Sequence, residues 1–153
     1  LEPAIHGNVV FYFNKSDKVN CSEPDGEDFA KRIHERLERL QARFAMFSNF
    51  VQKEINRGNH LEALDLYYNL ILGGLVEVLR IKHQPLHYDF KMRYIHSELP
   101  SETVERLEHL YFVKDEKGLQ EKYREAAAWF QETMSKIDEK EISRQLEALQ
   151  SQC

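Results

Sequence analysis

The side chains best able to do chemistry crowd into one short stretch of this sequence. His83, His87, Tyr88, Asp89, Lys91, Arg93, Tyr94 and His96 lie close together, and Arg80 and Lys82 stand just before them. Arg80, Lys82, Lys91 and Arg93 thereby concentrate positive charge in a chain whose 21 Lys+Arg against 26 Asp+Glu leave it at −5. Such groups can hold a phosphate or a carboxylate. Near a helix C-terminus they are equally favourable as exposed charges beside the dipole, and both readings stay open here. His83 and His87 are four apart, the spacing at which two imidazoles share a metal on one helical turn. Pro85 between them breaks that turn, so no metal ligand is assigned. The sequence holds no Gly-rich phosphate loop, HExxH, CxxC pair, nucleophile elbow or paired-carboxylate strand motif, and no catalytic residue is assigned either.

The elements that must carry these residues read as helices. Phe29, Ile33, Leu37, Leu40, Phe44, Phe47, Val51 and Ile55 are spaced by three or four, which predicts one long helix from Glu27 with a single apolar stripe. Asp25 or Gly26 can cap its start, and Arg57-Gly58-Asn59 stops it. Its other face, with Lys31, Arg32, Glu35, Arg36, Glu38 and Arg39, alternates charges at helical spacing and reads as solvated surface. A second helix runs from an Asn59 cap to about His83, apolar around nearly its whole circumference, and belongs in the middle of the domain. Gly73-Gly74 inside it predicts a close approach by a neighbouring helix. Pro85 ends it. Residues 84–100 are irregular, Pro100 starts a short helix, and Asp115 opens another through Leu119, Tyr123, Ala126, Phe130, Met134 and Ile137. The charged tail from Glu139 reads as a fraying extension. Tyr67, Tyr68, Tyr94, Tyr111, Tyr123 and Trp129 sit at spacings that suit a core, or else line a pocket for a ring.

The composition fits one globular domain of 153 residues, with 42% hydrophobic and 11% aromatic residues. Interleaved charges and a negative balance offer no broad basic face for a nucleic acid or an anionic membrane. The longest strongly apolar run, Leu70–Leu79, falls far short of the roughly 20 residues of a membrane span. Cys21 and Cys153 read as unpaired thiols in a reducing, cytoplasmic compartment. Asn8-Val-Val-Phe-Tyr-Phe13 reads as a lone β-strand, which must find its hydrogen bonds on another domain or chain. Cys21-Ser-Glu-Pro-Asp-Gly26 is dense in turn formers and reads as a linker. The expected fold is therefore mainly α, an antiparallel bundle of four to five helices preceded by one short β-strand from an upstream α/β domain. Its parts are residues 1–20 as closing strand and turn, 21–26 as linker and 27–153 as the helical domain.

Three stretches together resemble known enzymes. Gly7-Asn-Val-Val-Phe-Tyr-Phe-Asn-Lys-Ser16 is similar to the closing strand and turn of a small nucleotidyltransferase domain. Ile55-Asn-Arg-Gly-Asn-His-Leu-Glu-Ala-Leu64, continuing through Leu75-Val-Glu-Val-Leu-Arg80, resembles the Arg-Gly turn and central helix of the C-terminal domain of lincosamide-type antibiotic nucleotidyltransferases. The run Lys91 to Pro100 with its following Glu-rich helix fits the same pattern. The resemblance implies a helical substrate-binding or lid domain that closes over an upstream head. It further implies that the head holds magnesium and a nucleoside triphosphate, and that a hydroxyl of a small-molecule acceptor attacks the α-phosphate. The head's Gly-Ser and Asp-x-Asp pattern is not in this sequence. The similar kanamycin nucleotidyltransferases place a glutamate base and a lysine on the first helix of the tail domain. The corresponding stretch here, Arg43 to Asn56, offers only Lys53 and Glu54, and no base is carried across.

Arg80, Tyr88, Lys91, Arg93 and His96 are accordingly expected to bind substrate or phosphate. Two other readings compete. One is a non-catalytic interaction module, a homodimer pairing apolar helix faces. The other is a helical ribonuclease of the Arg/His type, which requires Arg80 and His87 to converge on one exposed site.

Overall fold

The computed structural model describes residues 26–138 and 140–144; the expected strand, most of the linker, Asp25 and both cysteines lie outside them. Among the described residues the chain is mainly helical and contains no strand. Helix α1 (Gly26–Asn56) runs for 31 residues and buries Phe29, Ile33, Leu37, Leu40, Phe44, Val51 and Ile55, the stripe expected from their spacing. Phe47 does not belong to that stripe. The line from Phe44 to Val51 passes through half-buried Ser48, leaving Phe47 39% exposed at its edge, with its ring 5.7 Å from that of Phe50. Gly58 ends the helix in the left-handed region, at φ 77°, where glycine has no Cβ to clash. Asn59 is not the expected side-chain cap. Its Nδ2 donates to Glu54 Oε2 at 2.6 Å, and this bond more than any other holds the Glu54 carboxyl below its usual value.

The second long helix is present but not uniform. Helix α2 (His60–Leu66) passes into a π-helical stretch (Tyr67–Leu72) and then into α3 (Gly73–His83). Leu70, Ile71, Leu72, Leu75, Val76, Val78, Leu79 and Ile81 are all buried, so this rod is the centre of the core, packed against α1 and against α6 (Glu116–Ser135). Gly74 faces α6, as expected of a close approach. A Cβ there would stand 3.5 Å from Phe130 Cε2, which is ordinary contact and leaves room for a methyl. Phe130 in turn stacks on Phe44 of α1, ring centroids 4.1 Å apart and 5° from parallel.

Helix α3 ends at His83, and a short 3-10 turn (Pro85–His87) follows, with Pro85 in its first position. Turns lead to the brief α4 (Ile95–Glu98) and then to α5 (Ser101–Tyr111), with Leu99 extended ahead of Pro100 as the proline ring demands. Asp115 caps α6 as expected, its carboxylate accepting the Gly118 N–H at 2.8 Å. Beyond α6, residues 140–144 are helical and Ile142 is buried.

The last carbonyls of α5 have no partners within their own helix. The π-helical stretch and α6 supply donors for them. Tyr67 Oη donates to Leu110 O at 2.8 Å, Tyr68 Oη to Tyr111 O at 2.9 Å, and Lys122 Nζ to His109 O at 2.5 Å and to Phe112 O. Tyr67 and Tyr68 thus read as core anchors with a polar tip; burial is the main reason the Tyr67 phenol titrates well above its ordinary range. No helix among the described residues is long and apolar enough to cross a membrane.

Candidate functional site

Between α1, the π-helical stretch with α3, and the turns at 88–92 lies a cleft of about 640 Å³. Its floor is Gly73, Gly74, Phe44 and Phe130, and Tyr68, Tyr88 and Tyr111 stand along its sides. Arg36, Arg39 and Arg43 line it from α1, at positions one helical turn apart on one face, a row about 10 Å long. Lys91 faces the same space. Against these four cations the lining offers two carboxylates, Glu77 and Asp89.

One of those carboxylates is already engaged. Arg36 holds Glu77 of α3 through both Nε and Nη2, the latter at 2.8 Å, a fork that pins α1 to α3 and raises the Arg36 pKa chiefly through that hydrogen bond. Arg39 donates only to the backbone carbonyl of Glu35, at 3.1 Å, and among the described residues Arg39, Arg43 and Lys91 have no ion-pair partner. Arg36 and Arg39 were expected on a solvated outer face; Arg39 is exposed as expected while also lining the cleft, and Arg36 is half-buried against Glu77. Their alternation with Glu35 and Glu38 hid this. Of the charged residues of α1, only arginines line the cleft, beside Leu40 and Phe44. Arg36, Arg39, Arg43 and Glu77 escaped the sequence reading as site residues, and Asp89 was singled out there without being assigned to the site. The signal available was an arginine every third or fourth position, the last of them, Arg43, with no acid at helical spacing, opposite the single glutamate of α3.

Of the residues expected to bind substrate, Tyr88 and Lys91 line the cleft and Arg93 and His96 do not. Arg93 lies over the rings of Phe90 and Tyr94 at 5.3 and 5.4 Å, and His96 is exposed on α4. Arg80 departs furthest from expectation, for it is 0% exposed and cannot meet a ligand. Its Nε donates to Lys91 O at 2.6 Å, its Nη1 to Glu98 Oε2 at 2.5 Å, and its Nη2 to Arg93 O. Glu98 completes the group through its other oxygen, 2.7 Å from His87 Nδ1, and the His87 ring stacks on Phe90 at 4.2 Å.

Arg80 is therefore the hub that shapes the turn carrying Lys91. Lys91 and Tyr94 both adopt left-handed backbone, φ 53° and 58°, which side chains other than glycine disfavour by roughly 1 kcal/mol or more each. The hydrogen bonds from Arg80 to Lys91 O and Arg93 O offset that cost. Burial pushes the Glu98 carboxyl up, but the hydrogen bonds from Arg80 and His87 together outweigh it and hold Glu98 below its ordinary value. His83, by contrast, has its pKa lowered by burial and then by neighbouring Lys82. Arg80 and His87 do converge, on Glu98. With Arg80 wholly inside, they do not form the exposed pair that an Arg/His ribonuclease needs. Among the described residues no group of three His, Cys, Asp or Glu side chains could hold a metal ion.

Set beside known proteins, the chain matches no family model, no curated protein and no solved structure.

Proposed function

We propose that this chain is the helical substrate-binding domain of a cytoplasmic nucleotidyltransferase, an antiparallel bundle that follows a β-strand belonging to an upstream α/β head. In this reading the head transfers a nucleoside monophosphate from a nucleoside triphosphate to a hydroxyl of a small-molecule acceptor, and the cleft between α1 and α3 holds that acceptor against it. The observation that carries the reading is the concave, polar and aromatic cleft, where a surface made only for protein contact would be flat and apolar. The resemblance of residues 7–16, 55–80 and 91–100 to antibiotic nucleotidyltransferases supports the same assignment. The cleft carboxylates do not suit magnesium, since Glu77 is held by Arg36 and Asp89 stands alone. The metal is therefore assigned to the head, and the role of this part is to bind and orient.

The test is to read the coding DNA upstream of Leu1. A Gly-Ser followed by an Asp-x-Asp pair on strand-forming sequence is the expected result, and a start codon immediately before Leu1 overturns the reading.

A second reading has its own observation. Met46 and Phe47 on α1 are exposed, and Leu61 on α2 is 81% exposed. That strip favours association of two copies, which sedimentation equilibrium would detect as a dimer that a Phe47→Glu, Leu61→Glu variant abolishes.

A further inference from the structure

We infer that the α1–α3 cleft takes a ring-bearing anion, a phosphate group joined to a flat ring, and not a cationic acceptor of the antibiotic type. The inference deepens the function proposed above and rests on it only in taking the cleft as the place where a substrate sits.

The first argument is the arginine row. Arg39 and Arg43 are four apart on α1, where like charges are neighbours and disfavour the helix by a few tenths of a kcal/mol. No acid stands three or four residues to either side of Arg43, whose neighbours at those steps are Arg39, Leu40, Met46 and Phe47. Of the other arginines, Arg93 lies over aromatic rings and Arg124 has no ion pair among the described residues, but several are balanced. Arg32, Arg57 and Arg106 each lie within 3.3 Å of a carboxylate. An unbalanced pair that faces a cleft is what a bound anion would bridge, and planar guanidinium groups suit phosphate geometry.

The second argument is the opposite wall. Lys91 lines the cleft from that side, in a left-handed backbone whose carbonyl Arg80 holds from behind. The third is the ring-bearing lining. Tyr68 and Tyr111 stack 5.8 Å apart beside the Phe44–Phe130 pair, and flat apolar walls next to cations suit a ring that carries its charge at one end. Apart from the Arg36–Glu77 pair, a cationic ligand would meet three positive groups, Arg39, Arg43 and Lys91, and one carboxylate, Asp89. Phosphate on a ring can come from the nucleotide donor or from an acceptor that is itself a phosphate ester.

Calorimetric titration of the 153-residue chain at low salt decides the matter, with AMP, adenosine, inorganic phosphate, ATP and kanamycin as separate probes. AMP is expected to bind saturably, with adenosine and phosphate each at least tenfold weaker. The double variant Arg39→Gln, Arg43→Gln is expected to weaken AMP at least tenfold with an unchanged circular dichroism spectrum, and Asp89→Asn to tighten it severalfold. ATP binding tenfold tighter than AMP supports the donor as the ligand; equal affinities support a phosphorylated acceptor. Absence of AMP binding, AMP binding that the double variant leaves intact, or tighter binding of kanamycin overturns the inference. These outcomes are independent of the coding sequence upstream of Leu1. AMP binding together with a start codon there would keep this inference and remove the transferase.

Discussion

Arg80 of α3 and Arg43 of α1 belong to helices that pack on each other, yet their guanidinium groups meet opposite fates. Arg80 lies among three acceptors of its own chain, the carbonyls of Lys91 and Arg93 and the Glu98 carboxylate, and none of its surface reaches water. Arg43, exposed at the edge of the cleft, has no carboxylate partner among the described residues. The difference shows that charge density alone does not locate a binding site. What decides is whether the fold already supplies the counter-charge. Where it does, as around Arg80, the cation is architecture; where it does not, as along Arg39 and Arg43, it is left to bind something else.

The largest effect that would break this contrast is at the hub. Arg80→Ala leaves Glu98 partly buried without its main partner and two carbonyls without donors, and is expected to cost about 3 to 5 kcal/mol in urea unfolding. A loss below about 1 kcal/mol would mean that Arg80 is as dispensable as a surface arginine. Next in size, Tyr67→Phe removes the donor to Leu110 O and should destabilise by about 1 kcal/mol, with the aromatic packing kept; no change would show that α5 does not lean on the π-helical stretch. Acid adds a smaller, graded effect. Glu98 has a lowered pKa in the fold, so its contribution is complete above the ordinary carboxylate pKa of about 4.3 and is lost as pH falls through the lower folded value. Unfolding curves from pH 6 to pH 3 should therefore show a decline that is shallower in Glu98→Gln, and equal slopes would remove the hub from acid sensitivity. Smallest, Arg43→Gln relieves the repulsion from Arg39 and is expected to leave stability unchanged or raise it by about 0.3 kcal/mol. A clear loss would mean that Arg43 has a structural partner after all.

Much of the architecture was legible in the sequence because periodicity records burial directly. The α1 stripe, the all-round apolar α3, the stop at Pro85, the Pro100 start and the Asp115 cap all follow from residue type and spacing. The site was legible only in part. Tyr88 and Lys91 reach the cleft from the irregular, polar stretch that the sequence singles out, whereas Arg36 and Arg39 were passed over because salt-bridge spacing along α1 looked sufficient to explain them, and Arg43 because it stands alone among apolar neighbours. Arg80 was misplaced for the converse reason. A lone arginine at the end of an apolar helix looks exposed, and nothing local to it reveals that Glu98 and two left-handed turns, 11 to 18 residues further on, fold back around it. The π-helical stretch was equally hidden, since a helix that is apolar on every side carries no marker of which residue is the additional one.

That additional residue has an outcome of its own. In an unbroken α-helix the nine steps from Tyr68 to Glu77 turn through about 900°, which sets the two on opposite sides of the rod. Both nonetheless line the same cleft. The wider turn over Tyr67–Leu72 advances less per residue and brings the two closer in phase. Were the same residues wound as ordinary α-helix throughout, Glu77 would turn away from Arg36, with every side chain that meets the cleft still encoded. The cleft is thus a matter of register, set by how six residues of its central helix wind as well as by the side chains along its walls.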